Sequence, residues 1–328
     1  MAVSLPAAAV FVSFIGLGVL LKLAQHNTKD ITYNPICPMV IVSLGKLLTS
    51  FFMYLFYDGS IKKLVKQFWN AGPLIRNYFL VAGSYCLYDV LGFVNSGLFD
   101  PQTFLVLLQL RIVTTALVWE MALKKPSSWV KRVGLVLISI GCAIKQAGGS
   151  VYNPHDGATS WRYIFIALQV GFNSFAAVAN EVLLKERGEL PLNAHNMVQY
   201  SWTIFLCLLV GVLAPVEGVG YNPLDLEVWR PMLDWRLFPS ILILVSLGLV
   251  TSAFLKWWDS VWKCVATSIE LFMTGFASSA VFGYPIRLSD LLALAVTTGG
   301  IWLFAQPTLF EKLHLQLFGK VQEDPRDL

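Results

Sequence analysis

Charge is scarce in this chain. Asp, Glu, Lys and Arg together make up 13% of its 328 residues, whereas 56% are hydrophobic. Soluble domains carry about 25% charged residues, so this balance excludes an ordinary soluble domain and implies a polytopic membrane protein. The formal net charge of +4 is small and spread out, which does not suggest nucleic-acid binding. The few histidines (His26, His155, His195, His314) are scattered through loops and form no metal cluster. Cys37, Cys86, Cys142, Cys207 and Cys264 lie mostly inside apolar runs without a CxxC spacing, as small buried hydrophobes do. No GxSxG, HExxH or Walker-type GxxxxGK[ST] is present, and no loop gathers carboxylates with His. No catalytic residue, metal or cofactor is therefore expected. These absences argue against a primary pump and against most membrane hydrolases; a membrane-bound transferase is not excluded. The run from Leu5 to Leu21 lacks a basic flank and reads as a first helix, not a cleaved signal.

Apolar runs are plentiful. Stretches long enough to cross a bilayer, about 17 to 25 residues each, fall at 5–25, 36–57, 77–97, 102–123, 130–147, 162–184, 197–216, 237–257, 261–283 and 289–308. The expected fold is all-α, with about ten transmembrane helices. Connections are marked by charge, Gly and Pro: 58–72 with Lys62, Lys63 and Lys66, the break at Lys124-Lys125-Pro126, and the longest connection, 216–236. Basic residues set the orientation. With the N-terminus in the cytosol, that side receives Lys62, Lys63, Lys66, Arg76, Lys124, Lys125, Lys131, Arg132, Lys185, Arg187, Lys312, Lys320 and Arg326. The other side receives Lys22, Lys29, Lys145, Arg162, Arg230, Arg236 and Arg287. Both termini are expected in the cytosol.

An internal echo points to two related halves within one transmembrane domain, roughly 1–148 and 160–310, followed by a cytosolic tail, 311–328. Pro126 opens a run that reaches Gly141 and Gln146, and Pro285 opens one that reaches Gly300 and Gln306. The run before each carries a cation followed by small hydroxyl residues: Arg111 with Thr114 and Thr115, and Lys263 with Thr267 and Ser268. Five helices repeated after five give an inverted repeat, a transporter plan with its site near the midplane.

Arg111 sits near the middle of an expected spanning helix, where a fixed charge costs roughly 2.5 to 3.5 kcal/mol on insertion scales. It either pairs with a carboxylate or waits for an anion. Arg111 and Lys263 hold equivalent places in their halves and are expected to face one cavity, where a phosphate or diphosphate would relieve their repulsion. Gln109, Thr115, Thr267 and Ser268 stand near them as neutral donors. Glu270, seven residues after Lys263, is expected to pair with it in the empty state. Lys46 either lines the cavity or snorkels to the surface. Asp89, with Tyr85 and Tyr88, either pairs with a cavity cation or bonds a sugar hydroxyl. Asn196 and Tyr200 either contact a base or ribose or mark a helix start. Phe104, seven residues before Arg111, either stacks on a base or packs the core. Glu181 and Lys185, four apart, read as an ordinary surface pair.

The stretch Phe99-Asp-Pro-Gln-Thr-Phe-Leu-Val-Leu-Leu-Gln-Leu-Arg-Ile-Val-Thr-Thr-Ala-Leu117 resembles the Tyr-Gln-Leu-Lys-Ile…Thr-Ala-Leu motif of the nucleotide-sugar transporter family. The branch it resembles holds the UDP-galactose, UDP-N-acetylglucosamine and CMP-sialic acid carriers. Gly171-Phe172 with Glu181 to Lys185, Asn196 with Tyr200, and Lys256-Trp-Trp-Asp259 with Lys263 and Ala266-Thr-Ser268 resemble three further family elements, in order. There are departures. The motif's Tyr is Leu108 and its Lys is Arg111. The Glu three residues before the second-helix Lys is Ser43, an Asn-Asn pair stands as Asp89-Val90, and a Gln stands as Leu105.

The resemblance implies ten helices of the drug/metabolite transporter fold, residence in the Golgi or ER membrane, and exchange of a nucleotide sugar for a nucleoside monophosphate. The expected function is an antiporter for a UDP-galactose-like UDP-sugar, working by alternating access. An amine or other metabolite carrier of the same superfamily is the alternative, with a membrane-bound transferase behind it. Expected partners are nucleotide sugar, nucleoside monophosphate and membrane lipid, with a homodimer as an admissible assembly and no nucleic acid.

Overall fold

The computed structural model describes residues 4–26, 28, 31, 33–99, 101–147, 162–186, 190–213 and 225–307. Among them all regular structure is helical. The helices are α1 (Leu5–His26), α2 (Ile36–Met53), α3 (Ile61–Asn70), α4 (Gly72–Leu98), α5 (Pro101–Leu108), α6 (Arg111–Leu123), α7 (Trp129–Ala147), α8 (Arg162–Glu186), α9 (Leu192–Leu213), α10 (Phe238–Trp257), α11 (Ser260–Phe282) and α12 (Leu288–Ala305). A π-helical turn, Tyr54–Asp58, extends α2, and 3-10 turns at Leu226–Leu233 and Trp235–Leu237 lead into α10. Within the described residues, helices cover the expected apolar runs. Among the described residues, eight spans are long and apolar enough to cross a membrane, with α5 and α6 sharing one of them, Thr103–Leu123. The long helices α4 and α7 fall outside that count; α7 carries three charges, Lys131, Arg132 and Lys145. The expected cytosolic tail 311–328 lies outside the described residues.

Two local results differ from the sequence expectation. The connection 58–72 contains a helix, α3. Its apolar residues recur at helical spacing: Leu64 is buried inward, while Ile61, Val65 and Trp69 are exposed along one stripe. With lysines at 62, 63 and 66, α3 has the pattern of a helix lying along a membrane surface. The run 102–123 is broken. Gln109 and Leu110 donate their backbone N–H groups to Val106 and Leu107, three residues back, which tightens the chain into a turn between α5 and α6. The Ser139 hydroxyl on α7 donates to the Gln109 carbonyl at 3.0 Å, satisfying an acceptor near the break. Arg111 is thus the first residue of α6, just past a tightened turn within the single apolar span Thr103–Leu123.

The helix ends follow local chemistry. Lys124 closes α6 in the left-handed region (φ 52°), with Pro126 two residues beyond. Gly283 closes α11 at φ 72°, a conformation open to glycine without a Cβ penalty. Asp259 caps α11 by accepting from the Trp262 N–H at 2.7 Å.

Packing brings together α7 with α12, α4 with α8 and α9, α2 with α9 and α10, α1 with α10 and α11, and α6 with α8 and α11. The α7–α12 pair is the tightest. A Cβ on Gly134 would meet the Gly300 carbonyl at 2.7 Å, and one on Gly300 would meet the Gly134 carbonyl at 2.7 Å. One on Gly141 would meet the Ala293 carbonyl at 2.9 Å. Small residues let two backbones touch here, as in membrane helix pairs that cannot rely on the hydrophobic effect. Ile112, Leu135, Ile138, Val265 and Phe272 form the apolar cluster beside this seam.

Candidate functional site

The helices enclose a cavity of about 660 Å³, within the range of roughly 300–1,000 Å³ typical of small-molecule sites. Its lining runs from Gln25, Tyr33 and Pro35, around the end of α1 and the start of α2, inward to Lys46 on α2, Asp89 on α4, Tyr200 on α9 and Lys263 on α11. These are its charged residues and one of its aromatics: two ammonium groups and one carboxylate. Lys46 is positioned by its neighbours. Its Nζ lies 5.5 Å from the centroid of the Tyr200 ring, and Gly248 on α10 leaves the space that its side chain fills. Lys46 is within electrostatic reach of Asp89 and Lys263. Among the described residues, neither lysine nor Asp89 forms an ion pair within 4.0 Å. Of the two sequence alternatives for Lys46, the geometry favours lining the cavity, and Asp89 lines it too.

Of the other expected site residues, none is in the lining. Arg111 lies outside the lining but within electrostatic reach of Lys263. Glu270 feels Lys22, Arg111 and Lys263, but its carboxylate packs against Gly18 of α1 and makes no ion pair with Lys263 within 4.0 Å. The two lie nearly two turns apart on one helix, and α1 occupies the space beside Glu270. The Thr115 hydroxyl is spent on Ser174, 3.0 Å away, which joins α6 to α8. Thr267 and Ser268 donate to the carbonyls of Lys263 and Cys264 on their own helix, at 2.8 and 3.0 Å. Gln109 donates to the Leu105 carbonyl at the α5–α6 break, and Phe104 is half-buried on α5. Asn196 is buried in α9, and its Oδ1 has no hydrogen-bond partner.

Sequence reasoning missed several lining residues. Asn180 on α8 is 2% exposed and reaches the cavity beside the Tyr85 hydroxyl, with its Oδ1 lacking a hydrogen-bond partner. Gln199, Thr203, Thr251 and Ser252 add neutral polar groups. A run of polar residues within α9, Asn196, Gln199, Tyr200 and Thr203, was the available signal.

Glu181 corrects an expectation. It does pair with Lys185, at 2.8 Å, but it is no surface residue: it is 1% exposed. Its Oε1 also accepts from the Trp119 indole at 3.3 Å, and its Oε2 accepts from the Ser260 backbone N–H at 2.7 Å. One carboxylate thereby ties α6, α8 and the first turn of α11, three residues before Lys263. The signal was a Glu following Ala-Ala-Val-Ala-Asn in an otherwise apolar run. The five cysteines are free and buried, as small hydrophobes are.

Comparison with known proteins adds the wider context. Residues 6–305 match the family described as "Nucleotide-sugar transporter". A protein named "UDP-galactose transporter senju", from Drosophila melanogaster, is 28% identical over 89% of this chain and 83% of its own length. "CMP-sialic acid transporter 2" from Arabidopsis thaliana is 24% identical over 89% of this chain and 73% of its own. A solved crystal structure, 15% identical, superposes with a TM-score of 0.66 over 94% of this chain and 98% of that one, a likeness of fold.

Proposed function

Because the chain belongs to the nucleotide-sugar transporter family, whose members are carriers and not enzymes, we propose that it exchanges a UDP-sugar of the UDP-galactose kind for a nucleoside monophosphate. The exchange proceeds by alternating access across a Golgi or ER membrane. The observation that carries this reading is the cavity with Lys46 and Lys263 in its wall. Two unpaired ammonium groups in a low-dielectric space repel each other until a phosphate arrives. Sugar nucleotide and monophosphate share that phosphate, so either ligand neutralises the same charges. The empty carrier is then costly to occlude, which makes exchange obligatory. Tyr200, beneath Lys46, offers an aromatic face and a hydroxyl. Asp89 also suits an amine, but the two lysines outnumber it and favour an anionic cargo.

The architecture we propose is ten crossings in two inverted halves, with α4 and α7 among the crossings, α5–α6 counted as one, and both termini cytosolic. The packing supports this reading. Pairing the five crossings of the first half with those of the second in order maps α4–α8 onto α1–α10, α6–α8 onto α1–α11, and α4–α9 onto α2–α10, while α7–α12, α2–α9 and α6–α11 map onto themselves. Laying Pro126 on Pro285 likewise turns the Gly134–Gly300 contact into the Gly141–Ala293 contact. In this orientation the cavity faces the lumen, and the Glu181 tie closes the cytosolic end.

Thermal stabilisation of purified protein by UDP, UMP, GDP, GMP, CMP and polyamines tests the ligand class. Uridine nucleotides are expected to stabilise it most; stabilisation by polyamines alone would replace the nucleotide reading with the amine carrier. Tags at both termini should be digested by protease added outside sealed, cytosol-outward vesicles, and protection of either would break the ten-crossing proposal.

A further inference from the structure

We infer that Asp89 is a sugar-selectivity residue that admits neutral hexosyl nucleotides and rejects those whose sugar carries a carboxylate. The inference rests on the nucleotide-sugar reading above and deepens it. The cavity lining holds one carboxylate, Asp89, which is within electrostatic reach of Lys46 but comes from a different helix than either lysine. Asp89 comes from α4, which packs on α8 and α9, whereas Lys46 and Lys263 come from α2 and α11. With no ion pair within 4.0 Å among the described residues, Asp89 keeps its acceptor capacity for a ligand.

A second acceptor belongs to the same wall. Asn180 on α8 lies beside Tyr85 of α4, almost wholly buried, and its Oδ1 is unpartnered. A buried acceptor without a donor costs free energy until one arrives. The α4–α8 wall therefore presents Asp89 as its charged acceptor, with Asn180 in the same lining, and the ligand groups that satisfy acceptors are hydroxyls. A hexose offers several. An ionised sugar carboxylate offers no donor in their place and meets Asp89 as a like charge. Rejection through an unpaired charge is an effective source of specificity. The relatives' names divide along this line, one specifying galactose, a neutral sugar, and another sialic acid, an acidic one. The charge in this cavity aligns the chain with the neutral class.

The test compares UDP-galactose with UDP-galacturonate, which differ only in the sugar C6 group. Proteoliposomes holding the full chain are loaded with UMP, and uptake of each labelled sugar is measured for the native protein, Asp89→Asn and Asp89→Glu. The native protein should prefer UDP-galactose by at least tenfold, about 1.4 kcal/mol. Asp89→Asn should bring the ratio toward unity, and Asp89→Glu should restore the preference. The readout is a ratio, so a general loss of transport does not imitate the effect. Competition between the two nucleotides in thermal stabilisation of detergent-purified protein gives the same ratio for a variant that binds but does not turn over. An unchanged ratio in Asp89→Asn, with UMP exchange intact in the native protein, overturns the selectivity role alone. Absence of any UMP or UDP-sugar exchange by the native protein overturns the carrier reading, and this inference with it.

Discussion

Replacing Glu181 with Gln should loosen the junction of α6, α8 and α11 without changing its shape. The two side chains are nearly isosteric, so no cavity opens and the effect is polar. In the native protein, Oε1 accepts from Lys185 at 2.8 Å and from Trp119 at 3.3 Å, and Oε2 accepts from the Ser260 N–H at 2.7 Å. A Gln amide has one oxygen. If it stays with Lys185 and Trp119, its NH₂ faces the Ser260 N–H, a buried donor that loses its acceptor at a cost of about 1–3 kcal/mol. The bond to Lys185 also loses its charge. That side chain is 38% exposed, so water replaces much of the interaction and its share is at most about 1 kcal/mol. The sum is a destabilisation of about 1–4 kcal/mol. Thermal unfolding in detergent should show a clear fall in Tm for Glu181→Gln and a much smaller one for Lys185→Met. Equal falls in the two variants would mean that the exposed ion pair, and not the cap on α11, is what matters. No fall at all would refute the account of Glu181.

Lys263→Gln should abolish nucleotide exchange while leaving membrane insertion intact or improved, since a costly buried charge is removed; normal uptake into proteoliposomes would eliminate the phosphate role. Gly248→Ala should fold, because the atoms that its Cβ would overlap belong to the flexible end of Lys46. It should nevertheless weaken UMP binding roughly tenfold, or about 1.4 kcal/mol, by displacing that ammonium, as isothermal titration would read. Gly300→Ala meets backbone atoms of Gly134 and Ile138 instead, so it should cost about 1–3 kcal/mol; an unchanged Tm would refute the tight α7–α12 seam.

The sequence alone determined that the chain is a helical membrane protein, because the length and polarity of an apolar run are local properties that a bilayer reads directly. It also pointed to the family and to Lys46, Asp89, Tyr200 and Lys263, since a polar or ionisable residue in an apolar run is conspicuous. It did not determine which of these share a cavity. Arg111 and Lys263 hold equivalent places in the two halves, yet Lys263 lines the cavity and Arg111 does not, a difference that equal sequence positions cannot show. Thr115 looked like a ligand donor until its hydroxyl was found on Ser174, 59 residues away. Glu181 looked like half of a surface pair because helical spacing shows only partners on the same helix. Its other partners, Trp119 and the Ser260 N–H, arrive from α6 and α11, and only helix packing brings them within hydrogen-bond distance.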